Sequence, residues 1–390
     1  MNTLKPEIDR HINEALAELV EDRHHLHMNP EVGNHLPDTN AYIKKRLKEM
    51  GIDASTCGDS GVVATIGKNE GKVLLLRADM DALPIAEETE LPFKSIRDGA
   101  HACGHDFHMA MLLGTAYVLN KMSDKLNGKV KLMFQPGEEI GAGAKDMIAG
   151  GVLDDPIVNA AMALHVSPAV LPGEAIFYRG PAVTSSFDVF FFKFHGKGGH
   201  SSAPQQCIDP LLMVNTLYMH LSSLTAKEVS PSETAILSIG KMGGGTKVNI
   251  IPDTADLRCG LRCYNNDTRE YLCQRIECLA NSVATMYGGK CELELRSGTP
   301  SVVNDRNLLE KFLPVLEDVF GDGLKEASEP MSASEDFSHV SAAVPSVYIQ
   351  IGAKTIGNDF PLHNPNVVLS DDVIPYGIRA FTECAFEYLK

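Results

Sequence analysis

The stretch GAHACGHDFH, residues 99–108, places three histidines, one cysteine and one aspartate within ten positions. Thiolate, imidazole and carboxylate are the ligands of zinc and its neighbours, and a thiol beside an imidazole is also the pairing of a cysteine nucleophile with its base. Cys103 and His105 precede a helix whose first turn is expected near Asp106. The positive end of that helix and nearby cations should lower the pKa of Cys103, which favours either chemistry. A polar turn that happens to be rich in histidine is the third possibility, and the stretch alone does not choose.

Three further pieces lie downstream. FQPGEEIGAGAK, residues 134–145, carries adjacent Glu138 and Glu139 after a Pro-Gly turn. Adjacent side chains cannot both point the same way, so one carboxylate can bind metal while the other acts as general base on a water. A solvated acidic turn is the plain alternative. His165 ends an almost wholly apolar run and by itself reads as a core histidine. His363 stands in PLHNPN, residues 361–366, a turn stiffened by Pro361 and Pro365. Together Cys103, His105, Glu139, His165 and His363 offer five ligands of mixed S, N and O type, acceptable to zinc, manganese or cobalt. Five exceed one tetrahedral ion and suit two ions sharing a bridge, either Cys103 or a water.

These residues need a scaffold. The short apolar runs KVLLLRADM (72–80), KVKLMFQ (129–135) and VNAAMALHV (158–166) read as strands, with the helix-like HMAMLLGTAYVLNKM (108–122) between them. Continuous apolar strands alternating with helices predict a parallel sheet covered on both faces. In such a sheet functional groups gather past the carboxyl ends of the strands, where Asp79, Asp81, Glu138, Glu139 and His165 all fall. From about 183 the style changes to strand, helix, two strands, helix, strand, the ferredoxin-like order. PSVYIQIGA (345–353) then resumes the first style. The expected architecture is therefore α/β: a discontinuous catalytic domain over 1–182 and 297–390, its mostly parallel sheet covered by helices, with an inserted ferredoxin-like α+β domain over 183–296.

Composition sets the outer limits. A chain of 390 residues exceeds the usual size of one core, and 44% hydrophobic with 22% charged residues is ordinary for a soluble globular protein. The net charge of −16, without a basic run, argues against nucleic acid as a partner. No run approaches the roughly 20 apolar residues needed to cross a bilayer, so no membrane partner is expected. The start, MNTLKPEIDRHINEALAELVEDRHHLH, reads as an amphipathic helix without the apolar core of a signal peptide. Nine cysteines without a CxxC pair read mostly as buried thiols, and the expectation is a cytoplasmic protein.

With these residues assembled, the chain resembles the dinuclear metal-dependent aminoacylase and carboxypeptidase family. It is most similar to the branch holding hippurate hydrolases, auxin–amino acid conjugate hydrolases and N-acetyl-diaminopimelate deacetylases. RADMDALPI, HACGHDFHMAMLLGTA, FQPGEE, GAKDMIAGGVL, ALHV, GKGGHSSAP, VNIIPD, SEDFS and PLHNPN occur in order and span essentially the whole chain. The resemblance implies amide hydrolysis by a catalytic α/β domain and an inserted domain that serves as lid and often mediates dimerisation. It makes Cys103, His105, Glu139, His165 and His363 the ligands of two divalent ions, and Glu138 the acid/base. Relatives outside this branch have a His ligand about where Asp79 stands, so Asp79 is not expected to bind metal, and Asp81 is expected to orient His105. His200 resembles the residue that reaches a neighbouring active site to polarise the scissile carbonyl, and Asn249 and Arg262 the groups that receive the substrate carboxylate. Gln205 follows Pro204 where many members have His, and the wordings SASEDFS and QQCID also depart; these changes bear on substrate identity.

The expectation is a metal-dependent amidohydrolase of N-acyl amino acids, related small amides or dipeptides, forming a homodimer or higher homo-oligomer. Two rivals stand beside it. A cysteine hydrolase using Cys103 would leave Glu138, Glu139, His165 and His363 without a task. A non-catalytic metal- or peptide-binding protein would have no need of Glu138 as a base.

Overall fold

The computed structural model describes residues 4–67, 70–180 and 182–390. The chain divides into two compact units. The first comprises Met1–Gly180, Val303–Glu329 and Asp336–Lys390. The second comprises Pro181–Val302 and Pro330–Glu335.

The first unit is built on an eight-stranded sheet, ordered Ala54–Cys57, Gly61–Ile66, Lys129–Gln135, Val73–Asp79, Ala160–Ser167, Ser346–Gly352, Ala175–Phe177, Leu324–Glu326. Its four middle strands are mutually parallel. Antiparallel pairs enter towards both edges. Every residue of Val73–Asp79 and of Ala160–Ser167 is buried, as strands covered on both faces must be, which explains their unbroken apolar sequence. Helix Lys5–Met28 buries Ile8, Ile12, Ala15, Leu19 and Leu26, a stripe at helical spacing, and packs on helices His105–Lys121 and Ile374–Tyr388. Helix His105–Lys121 starts ahead of the expected 108–122, with Gly104 as its N-cap. Gly104 has φ 86°, and a Cβ there would lie 2.3 Å from Val166, so only glycine allows the chain to turn into the helix at this point.

The second unit holds a four-stranded antiparallel sheet ordered Lys290–Thr299, Phe187–His195, Thr254–Cys263, Ala235–Gly244. Helices Pro210–Glu228 and Asn266–Tyr287 complete the β-α-β-β-α-β order and share one core with Phe190, Phe192, Phe194 and Leu257. The alternation in FDVFFFKFH sends those phenylalanines inward. Asn265 caps helix Asn266–Tyr287 by accepting from the N–H groups of Asp267 and Thr268, and left-handed Gly288 ends it. This unit runs past residue 296 because strand Lys290–Thr299 continues there, and it takes in Pro330–Glu335, where Met331 and Ala333 carbonyls accept from Ser185 N–H.

Among the described residues no helix is long and apolar enough to cross a membrane.

Candidate metal centre

The site forms where the middle strands of the first unit end. Strand Val73–Asp79 delivers Asp79 and Asp81, strand Lys129–Gln135 leads through Pro136 and Gly137 to Glu138 and Glu139, and strand Ala160–Ser167 carries His165. Gly137 sits at φ 64°, where a Cβ would lie 2.7 Å from Asn34 Oδ1, so the turn presenting the two glutamates depends on glycine. His363 arrives from the far end of the chain and is the one non-glycine residue among those described with positive φ, 67°. That conformation is costly for histidine, and strain of this kind persists where the surroundings fix it. Here the His363 N–H donates to the Ala102 carbonyl at 2.9 Å, anchoring the turn beside Cys103.

All five expected ligands come together. Cys103, His105 and His165 offer ligand atoms within 4.8 Å of one another, and so do Cys103, Glu139 and His363. Cys103 is common to both groups. Its Sγ lies 3.6 Å from His165 Nε2 and 3.3 Å from His363 Nε2. Glu139 Oε1 lies 3.4 Å from His363 Nε2 and 3.9 Å from His105 Nε2, and Glu138 Oε2 lies 4.0 Å from that same nitrogen.

Hydrogen bonding turns Nε2 of both rings inward. His105 Nδ1–H donates to the Asp81 carbonyl at 2.7 Å, and His165 Nδ1–H donates to the Val166 carbonyl at 2.8 Å. In His165, the neutral ring, this leaves Nε2 as the free lone pair, and in His105 it aims Nε2 into the site. His105 Nε2 and Glu139 Oε1 are buried with no hydrogen-bond partner. Buried polar atoms are normally satisfied, so two orphaned donor atoms of metal-ligand type, facing a buried thiol, fit a bound cation.

The charge states divide the donors: His165 and Glu139 are held in the ligand form, whereas His105 and Cys103 hold protons that a cation would displace. Burial pulls His165 down to about 3, keeping it neutral as a ligand must be. Burial raises Glu139, but His363 and His105 outweigh it and hold the carboxylate ionised. Burial likewise opposes charge on His105, yet Asp79 and Cys103 raise it well above the ordinary imidazole value. For Cys103 the expected fall in pKa is reversed: burial, together with Glu139 and Glu138, outweighs His105 and pushes the thiol well above its usual value. A buried thiol of raised pKa is inert as a nucleophile, which weakens the cysteine-hydrolase reading.

Two expectations about the aspartates are sharpened. Asp79 is occupied: Oδ2 accepts from Arg77 Nη1 at 2.6 Å and Oδ1 from His108 Nδ1 at 2.5 Å. Asp81 orients His105 through its main-chain oxygen; its carboxylate instead accepts the N–H groups of Glu138 and Glu139 at 2.9 and 3.1 Å. The reason is topological, since the parallel neighbours Val73–Asp79 and Lys129–Gln135 end side by side.

Sequence reasoning missed a buried layer beneath the ligands. Arg77 bonds Asp79, Gln135 and Asp336, Gln135 Nε2 donates to Asp336 Oδ1 at 2.6 Å, and Asp336 Oδ2 accepts the Ala144 N–H at 3.0 Å. His108 receives the Val166 N–H on Nε2 at 2.9 Å. A charged Arg77 inside an apolar strand was the available signal.

In the second unit, His200 lies exposed on the short strand Gly199–His200, paired with Ile250–Ile251. Its Nδ1 accepts the Ser202 N–H at 3.1 Å. Asn249 is exposed, its carbonyl accepting from the Ser201 N–H at 3.2 Å. Arg262 Nη1 donates to Ser185 Oγ and the Ser332 carbonyl, both at 3.1 Å, and its guanidinium covers the Phe187 ring at 4.2 Å. Among the described residues no carboxylate pairs with Arg262, whereas Arg258 Nε lies 3.9 Å from Asp256.

Comparison with known proteins adds an independent line. Residues 75–387 match the model of peptidase family M20/M25/M40. N-acetyl-L-cysteine deacetylase of Bacillus subtilis (strain 168) is 35% identical over 362 residues, 92% of this chain and 85% of the relative. IAA-amino acid hydrolase ILR1-like 2 of Arabidopsis thaliana is 34% identical over 379 residues, 95% of this chain and 85% of the relative. The solved structure of the Bacillus subtilis YXEP protein, a dinuclear metal binding peptidase from the M20 family, superposes with a TM-score of 0.79 at 30% identity, covering 97% of this chain and 99% of that one.

Proposed function

The chain belongs to peptidase family M20/M25/M40, and from that membership we propose that it is a metal-dependent amidohydrolase releasing amino acids from their N-acyl derivatives. The observation that carries the reading is the gathering of Cys103, His105, Glu139, His165 and His363 into two groups sharing Cys103, with orphaned His105 Nε2 and Glu139 Oε1 facing inward. These five residues would hold two divalent cations, zinc, manganese or cobalt by the chemistry of the donor set. Such ions, when bound, activate water near neutral pH and polarise a carbonyl oxygen.

The remaining chemistry belongs to side chains. Glu138, beside the ligands, takes the proton of the attacking water and delivers it to the leaving amine. His200 stabilises the oxyanion from a neighbouring subunit. Its Nδ1 accepts the Ser202 N–H, so the neutral ring carries its proton on Nε2, the form that donates to a developing oxyanion. Arg262, without an acidic partner among the described residues, and Asn249 receive the free carboxylate of the substrate. Two relatives whose names specify N-acylated amino acids, the N-acetyl-L-cysteine deacetylase and the IAA-amino acid hydrolase, support that substrate class. The proposal includes a homodimer formed through the inserted unit and operation in the cytoplasm, where unpaired thiols such as Cys259, Cys263 and Cys384 stay reduced.

Screening metal-loaded protein against N-acyl amino acids and dipeptides tests the reading. Turnover of the acylated amino acids that is lost on chelation supports it. Turnover surviving complete metal removal overturns it.

A further inference from the structure

Arg23, His27 and Glu87 belong to none of the motifs used above, yet all three side chains are almost wholly buried, at 2%, 7% and 4% exposure. Arg23 and His27 stand one turn apart on helix Lys5–Met28. Arg23 Nε donates to Asp106 Oδ2 at 2.9 Å, and His27 Nδ1 reaches the same oxygen at 2.8 Å. The Arg23 guanidinium lies over the rings of Phe93 and Phe107, at 4.7 and 4.1 Å. The other nitrogen of His27 faces Glu87 Oε1 at 3.3 Å. Glu87 is itself fixed, accepting the Ser95 N–H at 2.7 Å and the Thr89 hydroxyl.

A buried ionic network of this kind is a weak source of net stability, because desolvation offsets its attraction. What it delivers is geometry, and the geometry converges on Asp106, the residue after His105. The first turn of a helix has unsatisfied N–H groups and frays unless it is held. Here the N-cap is Gly104, which has no side chain with which to cap it. Glycine is also the freest pivot in the chain. Cys103 and His105 flank that pivot. The same loop reaches the opposite side of the site, since Glu88 N–H donates to the Pro365 carbonyl at 2.9 Å and Asn366 Nδ2 donates to Glu88 Oε2 at 3.0 Å, in the turn that carries His363.

We propose that Arg23, His27 and Glu87 are positioning residues for the metal centre: through Asp106 they pin the start of the ligand helix and so place Cys103 Sγ and His105 Nε2. This rests on the reading that Cys103 and His105 hold metal. Glu87→Gln keeps the shape of the side chain and removes its charge; Arg23→Lys keeps the charge and removes the planar fork. Each full-length variant is titrated with Co²⁺, following heat and the thiolate-to-cobalt absorption band, at a temperature where circular dichroism matches the unaltered protein. The expected result is a loss of about tenfold or more in Co²⁺ affinity with an altered band, and kcat recovering towards normal at saturating metal. Arg269→Lys, which disturbs the half-buried Arg269–Asp188 pair of the second unit, should leave affinity and band unchanged. Normal affinity and band in both variants overturn the inference, and if Arg23→Lys does not fold, Glu87→Gln decides alone. A wild-type protein that binds no Co²⁺ overturns the metal reading instead.

Discussion

The carboxylate of Asp81 accepts the backbone N–H of Glu138 at 2.9 Å, and its second oxygen accepts that of Glu139 at 3.1 Å. One side chain therefore holds the turn that presents both glutamates, while its carbonyl orients His105. Hydrogen bonds to a charged acceptor contribute about 1.5–3 kcal/mol each. Asp81→Ala should loosen the turn and lower kcat by roughly 10²-fold, the scale of a 1 Å misplacement. Asp81→Asn, which keeps one oxygen acceptor, should fall between. Steady-state kinetics with metal content measured on the same samples checks this; an Asp81→Ala enzyme of normal kcat would show that the turn holds itself.

The adjacent carboxylates should separate cleanly by substitution. Glu138→Gln is expected to retain metal and substrate binding but lose about 10²–10⁴-fold in kcat, the usual contribution of a positioned general base. Glu139→Gln should lose metal affinity first. Equal metal content and equal rates in both variants would refute the division of roles.

Removing metal should abolish activity, and two equivalents of zinc, manganese or cobalt should restore it. Cys103→Ser should bind metal more weakly, since a neutral hydroxyl is a far poorer ligand than a thiolate. Because burial raises the Cys103 pKa and Asp79 helps to raise that of His105, metal binding should displace protons from both at neutral pH. Calorimetry in buffers of different ionisation enthalpy counts those protons, Cys103→Ser isolates the share of the thiol, and an unchanged count in that variant would mean that Cys103 stays a thiol.

If His200 serves a neighbouring subunit, mixed His200→Ala and Glu138→Ala proteins should recover part of the activity that each lacks alone. No recovery, once subunit exchange is shown, would assign His200 to its own chain.

Arg262→Ala should raise KM for an N-acyl amino acid by roughly ten- to a hundredfold, the worth of a charge-assisted hydrogen bond, and barely change the methyl ester. Arg258→Ala, with Asp256 already beside Arg258, should change neither. Equal losses on acid and ester would mean that Arg262 supports the sheet through Ser185 and Ser332 without reading substrate.

By itself the sequence determined which atoms were available and which local elements would carry them. Unbroken apolar runs read as strands buried on both faces, the change of style after about residue 183 as a ferredoxin-like order of elements, and thiol, imidazole and carboxylate at strand ends as metal donors, because these are properties of a few neighbouring residues. The tertiary structure alone decided the partners. Asp81 meets Glu138 across 57 residues and Cys103 meets His363 across 260, distances set by the order of strands in the sheet. The raised pKa of Cys103 likewise arose from burial by remote segments, overriding the local helix field that predicted a fall. Asp79 is tied to Arg77 and His108, and Arg23 reaches Asp106 from the first helix. Local pattern fixes what a residue can donate; only packing fixes what it faces, because desolvation and hydrogen bonding depend on atoms that the chain brings in from far away.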